Sequence, residues 1–192
     1  MVNYPNGKKA HTEHHTTSFA DRGMGLEKDI NMTNEYYRSI DRAVIHKKPT
    51  PVTIVKVDYP MRSAAKITEA YFKLPSTTDY NGIYRGKYID FEAKECASET
   101  SFPLKSIHAH QIDHLSAVIR HGAIAFLIVR FTKKDETFLA DAETAIRYIR
   151  TCGRRSIPYA WFAENAHRIA YNYIKPVDYL KTVDELYFRE DK

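Results

Sequence analysis

Between Tyr88 and Lys94 apolar and polar residues alternate, with Ile89, Phe91 and Ala93 on one side of an extended chain and Asp90, Glu92 and Lys94 on the other. The stretch from Asp79 to Lys94 therefore reads as a β-hairpin. An unbroken apolar run from Ala123 to Phe131 predicts a strand covered on both faces, and with it the centre of a sheet. Helical spacing governs other segments. Leu26, Ile30 and Tyr37 share a stripe that predicts a helix from Met24 to about Ile40. Phe102-Pro103-Leu104 introduces a helix to about His121, with Leu104, Ile107, Leu115 and Val118 on its buried stripe and Gly122 as C-cap.

Shorter signals fill the remainder. Ala43–His46 and Thr53–Val57 read as short strands split by Lys47-Lys48-Pro49-Thr50-Pro51. A polar loop from Thr132 to Thr137 leads into Phe138-Leu139, and a helix runs from about Asp141 to near Gly153. Beyond Pro158 come a short helix, a strand over Ala166–Ala170 and a terminal amphipathic helix carrying Val183, Leu186 and Tyr187. That order of elements predicts an α/β fold, a mixed β-sheet flanked by helices.

Composition narrows the partners without naming them. At 192 residues and 43% apolar content the chain can bury a single core. Residues 1–18 are polar and basic with no periodicity, which predicts a disordered arm ahead of one domain over 19–192. A formal charge of +5 suits phosphate-bearing partners, although many proteins with no nucleic-acid role share it. Cys96 and Cys152 have no metal-ligand spacing, so a reducing, cytoplasmic setting is the default. No apolar stretch approaches the roughly 18–20 residues of a membrane span, so no membrane partner is expected.

The hairpin carries the chemistry. Glu92 and Lys94 share a face roughly 6.5–7 Å apart along the strand, and Asp79 is expected from the preceding strand. Phosphodiester hydrolysis needs a nucleophilic water and stabilisation of charge on the phosphoryl oxygens. Carboxylates can hold a hard cation such as Mg²⁺, and a lysine ammonium can orient the water or offset the developing charge. The same three residues also fit a solvated strand face with incidental ion pairs. Between Val57 and Ser76, Arg62, Lys66 and Lys73 are interleaved with Tyr59, Tyr71 and Phe72. These groups suit either nucleic-acid contacts or core aromatics with solvated cations. Gln111 falls on a buried helical stripe, where it needs a hydrogen-bond or metal partner. Glu27 fits equally an accessory site role and a carboxylate complementing a helix dipole. His108, His110 and His114 read as surface or DNA-facing groups.

Longer stretches of text decide between these readings. Tyr4-Pro5-Asn6-Gly7, Asp21-Arg22-Gly23-Met24, His46-Lys47-Lys48-Pro49-Thr50-Pro51 and Arg62-Ser63-Ala64-Ala65 resemble the RecU family of Holliday junction resolvases, within the PD-(D/E)xK nuclease superfamily. So do Glu69-Ala70-Tyr71-Phe72, the whole of Thr77–Lys94, Thr100-Ser101-Phe102-Pro103-Leu104, His110-Gln111-Ile112 and Leu186-Tyr187-Phe188. The resemblance implies a restriction-endonuclease-like fold with a protruding stalk at about residues 57–76 that enters the centre of a four-way junction. It implies metal ligands at Thr77, Asp79, Glu92 and Gln111 for Mg²⁺, with Mn²⁺ able to substitute, and Lys94 as the transition-state-stabilising lysine. Asp79, Glu92 and Lys94 are thus the expected catalytic set, with Glu27 accessory and Arg22, Lys47, Lys48, Arg62, Lys66 and Lys73 as DNA contacts. Implied partners are four-way junction DNA, a second copy in a homodimer, the RecA recombinase and the RuvA/RuvB branch-migration complex. Two competing readings are a catalytically idle junction-binding modulator of RecA and a nuclease of ordinary duplex DNA.

Overall fold

The computed structural model describes residues 25–61, 64–73 and 77–188. In chain order the elements are α1 (Leu26–Ser39), β1 (Val44–Lys47), β2 (Val52–Asp58), β3 (Lys66–Phe72), β4 (Tyr80–Tyr84), β5 (Lys87–Cys96) and β6 (Ser101–Pro103). There follow α2 (Ala109–Arg120), β7 (Ile124–Phe131), β8 (Glu136–Asp141), α3 (Ala142–Thr151), β9 (Ser156–Pro158), α4 (Tyr159–Asn165), β10 (His167–Ile169) and α5 (Tyr179–Tyr187). Six strands form the main sheet in the order β1-β4-β5-β7-β8-β10. Only the β5–β7 pair is parallel; the others are antiparallel, so the sheet is mixed. A parallel pair needs a crossover connection, and the chain between β5 and β7 contains α2.

Alternation along the central strands sorts the core into two layers. Ile89 and Phe91 of β5 join Ile124, Phe126 and Ile128 of β7 against Leu26, Ile30 and Tyr37 of α1 and Leu180 and Val183 of α5. On the opposite face Ala125, Leu127 and Val129 pack with Leu115 of α2, Ile146 of α3 and Phe162 of α4. β7 is buried on both faces over most of its length, as its unbroken apolar run predicts.

Local chemistry sets the element ends. β4 and β5 are joined through Arg85 and Gly86, both at positive φ (49° and 74°), the backbone of a tight two-residue hairpin turn. Asp141 caps α3 by accepting from Thr144 N at 2.9 Å. Gly122, at φ 81°, follows α2 where a C-terminal stop is expected. At Gly82 the constraint is space: a Cβ built there meets Val44 O at 2.1 Å and the Ile45 Cα at 2.6 Å, because the paired strand β1 lies close against it, Ile45 opposite Gly82. Gly82→Ala should therefore cost about 1–3 kcal/mol through forced separation of β1 and β4, read as a lower midpoint in urea unfolding.

Two expectations need correcting. The helix does not begin at Phe102: Ser101–Pro103 is a strand paired with β9, Leu104–Ser106 is a 3-10 turn, and α2 starts at Ala109. Nor is Thr53–Val57 part of the body of the fold. Among the described residues β2 pairs with β3 alone, in an antiparallel hairpin over Val52–Phe72 that is almost wholly exposed and overlaps the expected stalk. The expected arm over residues 1–18 lies outside the described residues.

Candidate active site

The face of β5 turned toward α2 presents Asp90, Glu92 and Lys94 in a row. Antiparallel pairing of Tyr80 with Phe91 brings Asp79, the residue just before β4, beside Glu92. Asp79 N donates to Glu92 Oε2 at 3.1 Å. Lys94 Nζ forms an ion pair with Glu92 Oε1 and lies 3.6 Å from Asp79 Oδ2. Glu92 is fully buried, whereas the side chains of Asp79 and Lys94 are 36% and 26% exposed. The group thus opens to solvent from the Asp79 side, where a cleft of about 220 Å³ is lined by Asp79, Lys94, Glu27, Glu95 and the start of α1.

Burial explains the state of Glu92. Its parallel neighbour is Leu127, and removal from water pushes the carboxyl from 4.5 to about 7, against the lowering pull of the Lys94 ammonium and with a further upward push from Asp79. Glu92 Oε1 is ion-paired with Lys94 without the geometry of a hydrogen bond, so its capacity as an acceptor is only partly used. A buried acceptor left in that state beside a second carboxylate is what a hard cation would satisfy. Among the described residues no three His, Cys, Asp or Glu side chains gather as a metal cluster. The two carboxylates are hard oxygen donors, which suit a hard cation better than a thiolate- or imidazole-seeking metal.

Residues 21–185 match the family described as RecU, recombination protein U. The chain belongs to the RecU family. It is 54% identical over 196 residues to "Holliday junction resolvase RecU" of Oceanobacillus iheyensis, covering 97% of this chain and 100% of that one. The proteins of the same description from Geobacillus sp. strain WCH70 and Geobacillus kaustophilus are 54% and 52% identical, each covering at least 97% of both chains. Among solved structures, the Archaeoglobus fulgidus Holliday junction resolvase Hjc aligns with a TM-score of 0.42 at 10% identity, covering 73% of this chain and 93% of that one. The fold is the expected mixed sheet with helices on both faces.

The other residues singled out in this RecU chain are placed less uniformly. Thr77 is half-buried, with its hydroxyl 3.5 Å from Thr78 O. Gln111 is buried in the first turn of α2, where its Oε1 accepts from His108 N at 2.9 Å; it bonds its own helix rather than Asp79 or Glu92. Glu27 stands at the rim of the cleft, 2.5 Å from Lys47 Nζ. Lys48 turns inward, its ammonium 2.9 Å from both Thr78 Oγ1 and Asp90 Oδ2. Lys66 and Lys73 are exposed on the stalk, while Arg22 and Arg62 lie outside the described residues. His114, expected as a surface or DNA-facing group, is partly exposed and points to Asp90 with Nε2 3.1 Å from Oδ2. Asp90 is the residue that sequence reasoning passed over. Its alternation with Ile89 and Phe91 places it on the Glu92 face, and a carboxylate buried there requires partners.

Proposed function

We propose that this protein is a Mg²⁺-dependent endonuclease that resolves four-way DNA junctions by paired symmetric nicks during recombination and repair. One observation carries the proposal. Asp79, Glu92 and Lys94 converge, with the buried Glu92 carboxylate ion-paired to Lys94 and set beside the Asp79 carboxylate, in a chain 54% identical along nearly its whole length to a Holliday junction resolvase. In this reading Asp79 and Glu92 hold the cation, with Thr77 and Gln111 as its neutral-oxygen ligands. A bound Mg²⁺ supplies Lewis acidity toward a phosphoryl oxygen and makes a water a better nucleophile. Lys94 offsets the charge that gathers on the phosphoryl oxygens and orients the attacking water. Glu27, held against Lys47 at the rim, bounds the cleft on the side of α1.

The cations offered for DNA contact are Arg22, Lys47, Lys48, Arg62, Lys66 and Lys73; Lys66 and Lys73 are exposed at the β2–β3 hairpin, and Lys48, turned inward, is the weakest of the six as a phosphate contact. A two-fold symmetric junction calls for a two-fold symmetric enzyme, so the working form is a homodimer with one site per strand. The domain spans 19–192 behind a basic arm, in the cytoplasm, with RecA and RuvA/RuvB as functional partners. Among the described residues no helix is long and apolar enough to cross a membrane.

The deciding experiment compares cleavage of a synthetic four-way junction with that of a matched linear duplex, each with Mg²⁺ and with chelator. Junction cleavage that requires Mg²⁺ and exceeds duplex cleavage supports the proposal. Preferential duplex cutting overturns the resolvase assignment, and junction binding without cleavage favours the idle modulator of RecA.

Glu92 adds a pH signature. Because its folded-state value lies near 7, above the ordinary 4.5, its contribution to the stability of the metal-free protein is fully present below about 4.5 and is lost as pH rises through about 7. Cation binding needs the ionised form and so releases a proton. Apparent Mg²⁺ affinity should fall about tenfold per unit as pH drops below about 7, measured by calorimetry in buffers of different ionisation enthalpy. Affinity flat between pH 5.5 and 7.5 would show that Glu92 is not a ligand.

A further inference from the structure

Two residues before Glu92, on the same face of β5, stands a second acid for which the nuclease reading has no task. Asp90 is fully buried, yet donors from four parts of the chain close on its carboxylate. Thr78 Oγ1 donates to Oδ1, while Lys48 Nζ at 2.9 Å, Tyr88 OH at 2.8 Å and His114 Nε2 at 3.1 Å surround Oδ2. Each oxygen is already engaged, so Asp90 acts through its neighbours.

Those neighbours converge on Asp79. Lys48 holds the chain at two points: its ammonium donates to Thr78 Oγ1 at 2.9 Å, and its backbone N–H donates to Asp79 O at 2.8 Å. On the other flank Asp79 N donates to Glu92 Oε2. Asp79 itself sits in a bend just before β4, where no regular element fixes its direction. A carboxylate that must meet a second one around a small, strictly octahedral cation needs its backbone held to within roughly 0.5 Å.

We propose that Asp90, Lys48 and Thr78 are positioning residues for cleavage, a buried network that fixes the backbone of Asp79 so that its carboxylate faces Glu92 at the spacing a divalent cation needs. The proposal rests on the nuclease reading above and assigns a role to residues that reading leaves aside. In this role Lys48 serves the metal site from inside the fold, and its ammonium is not a primary phosphate contact.

The test separates the Thr78 hydroxyl from its bulk. Full-length wild type, Thr78→Val and Thr78→Ser are titrated with Mn²⁺ in the absence of DNA, followed by electron paramagnetic resonance. Thermal melting and junction affinity in chelator are measured alongside. Thr78→Val should bind Mn²⁺ about tenfold more weakly, in the range usual for contacts that orient a metal ligand, and should need correspondingly more Mg²⁺ for half-maximal cleavage. Thr78→Ser, which keeps the hydroxyl, should stay within about twofold of wild type, and junction affinity in chelator should be unchanged for both. Wild-type Mn²⁺ affinity in Thr78→Val overturns the proposal, as does an equal loss in Thr78→Ser. Should Thr78→Val not fold, Tyr88→Phe removes another donor from a residue at the surface; about threefold weaker Mn²⁺ binding supports the network and wild-type affinity overturns it. A wild type that binds Mn²⁺ but fails to cut junctions sinks the nuclease reading, whereas a wild type that cuts, with variants that bind Mn²⁺ equally well, sinks this proposal alone.

Discussion

Asp79→Asn is expected to lower Mg²⁺-supported junction nicking by at least a factor on the order of 10³, while junction binding in chelator stays within about twofold of wild type. Removing a single neutral donor that stabilises transition-state charge costs roughly 10²–10³ in rate, and this change also removes a charged cation ligand. The substitution keeps the side-chain shape and leaves the backbone bond from residue 79 to Glu92 Oε2 in place, so the fold has little reason to move. It also takes away one of the two carboxylates facing the Lys94 ammonium, which then pairs with Glu92 alone. Supercoiled plasmid and a synthetic four-way junction, each incubated with Mg²⁺, give the readout. Nicking at the wild-type rate would mean that the cleft is not the place of chemistry.

Phe91→Ala carries the largest expected stability loss. The ring is fully buried between Asp90 and Glu92 in sequence but points to the opposite face, stacked on Tyr80 at 4.8 Å and on Phe126 at 4.7 Å, with Tyr179 at 5.0 Å. Emptying such a site removes its transfer free energy and leaves a cavity that strands on both sides cannot close, a cost of about 3–5 kcal/mol. For a chain of this length the melting temperature should fall by roughly 6–20 °C. Ile83→Ala is the matched control: Ile83 is 59% exposed on β4, and its loss should cost less than about 0.5 kcal/mol. Equal melting shifts for the two variants would contradict the burial described here.

Much of this was legible because it depends on short-range pattern. The two-residue period of Ile89, Phe91 and Ala93 separated the core face of β5 from its acidic face, and the apolar run through Phe126 identified a strand covered on both sides. The misread helix start has a local cause: Leu104 and Ile107 stand three apart and imitate a helical stripe, while Ser101–Pro103 is too short to show alternation and is defined only by its distant partner β9. The place of β2 was hidden similarly, since Val52, Ile54 and Val55 look like core residues and nothing local reveals that they are 43%, 50% and 55% exposed. Asp90 illustrates a third limit. Its own position was readable, but Lys48, Thr78 and His114 come from separate segments, and only the folded register brings them to one carboxylate. The Asp79, Glu92 and Lys94 grouping was legible because two of its members share a strand face and the third precedes the adjoining strand.

The parallel pairing of β5 with β7 also bears on when activity can arise during synthesis. A nascent chain that has emerged only through β5 holds both acids and the lysine, yet the strand that lies beside Glu92 and the helix that roofs it are still to come. Until residue 131 has left the ribosome and docked, Glu92 stays hydrated and β5 is an open edge. An incomplete polypeptide therefore lacks the enclosed pair of acids, and the capacity to cut DNA arrives together with the completed core.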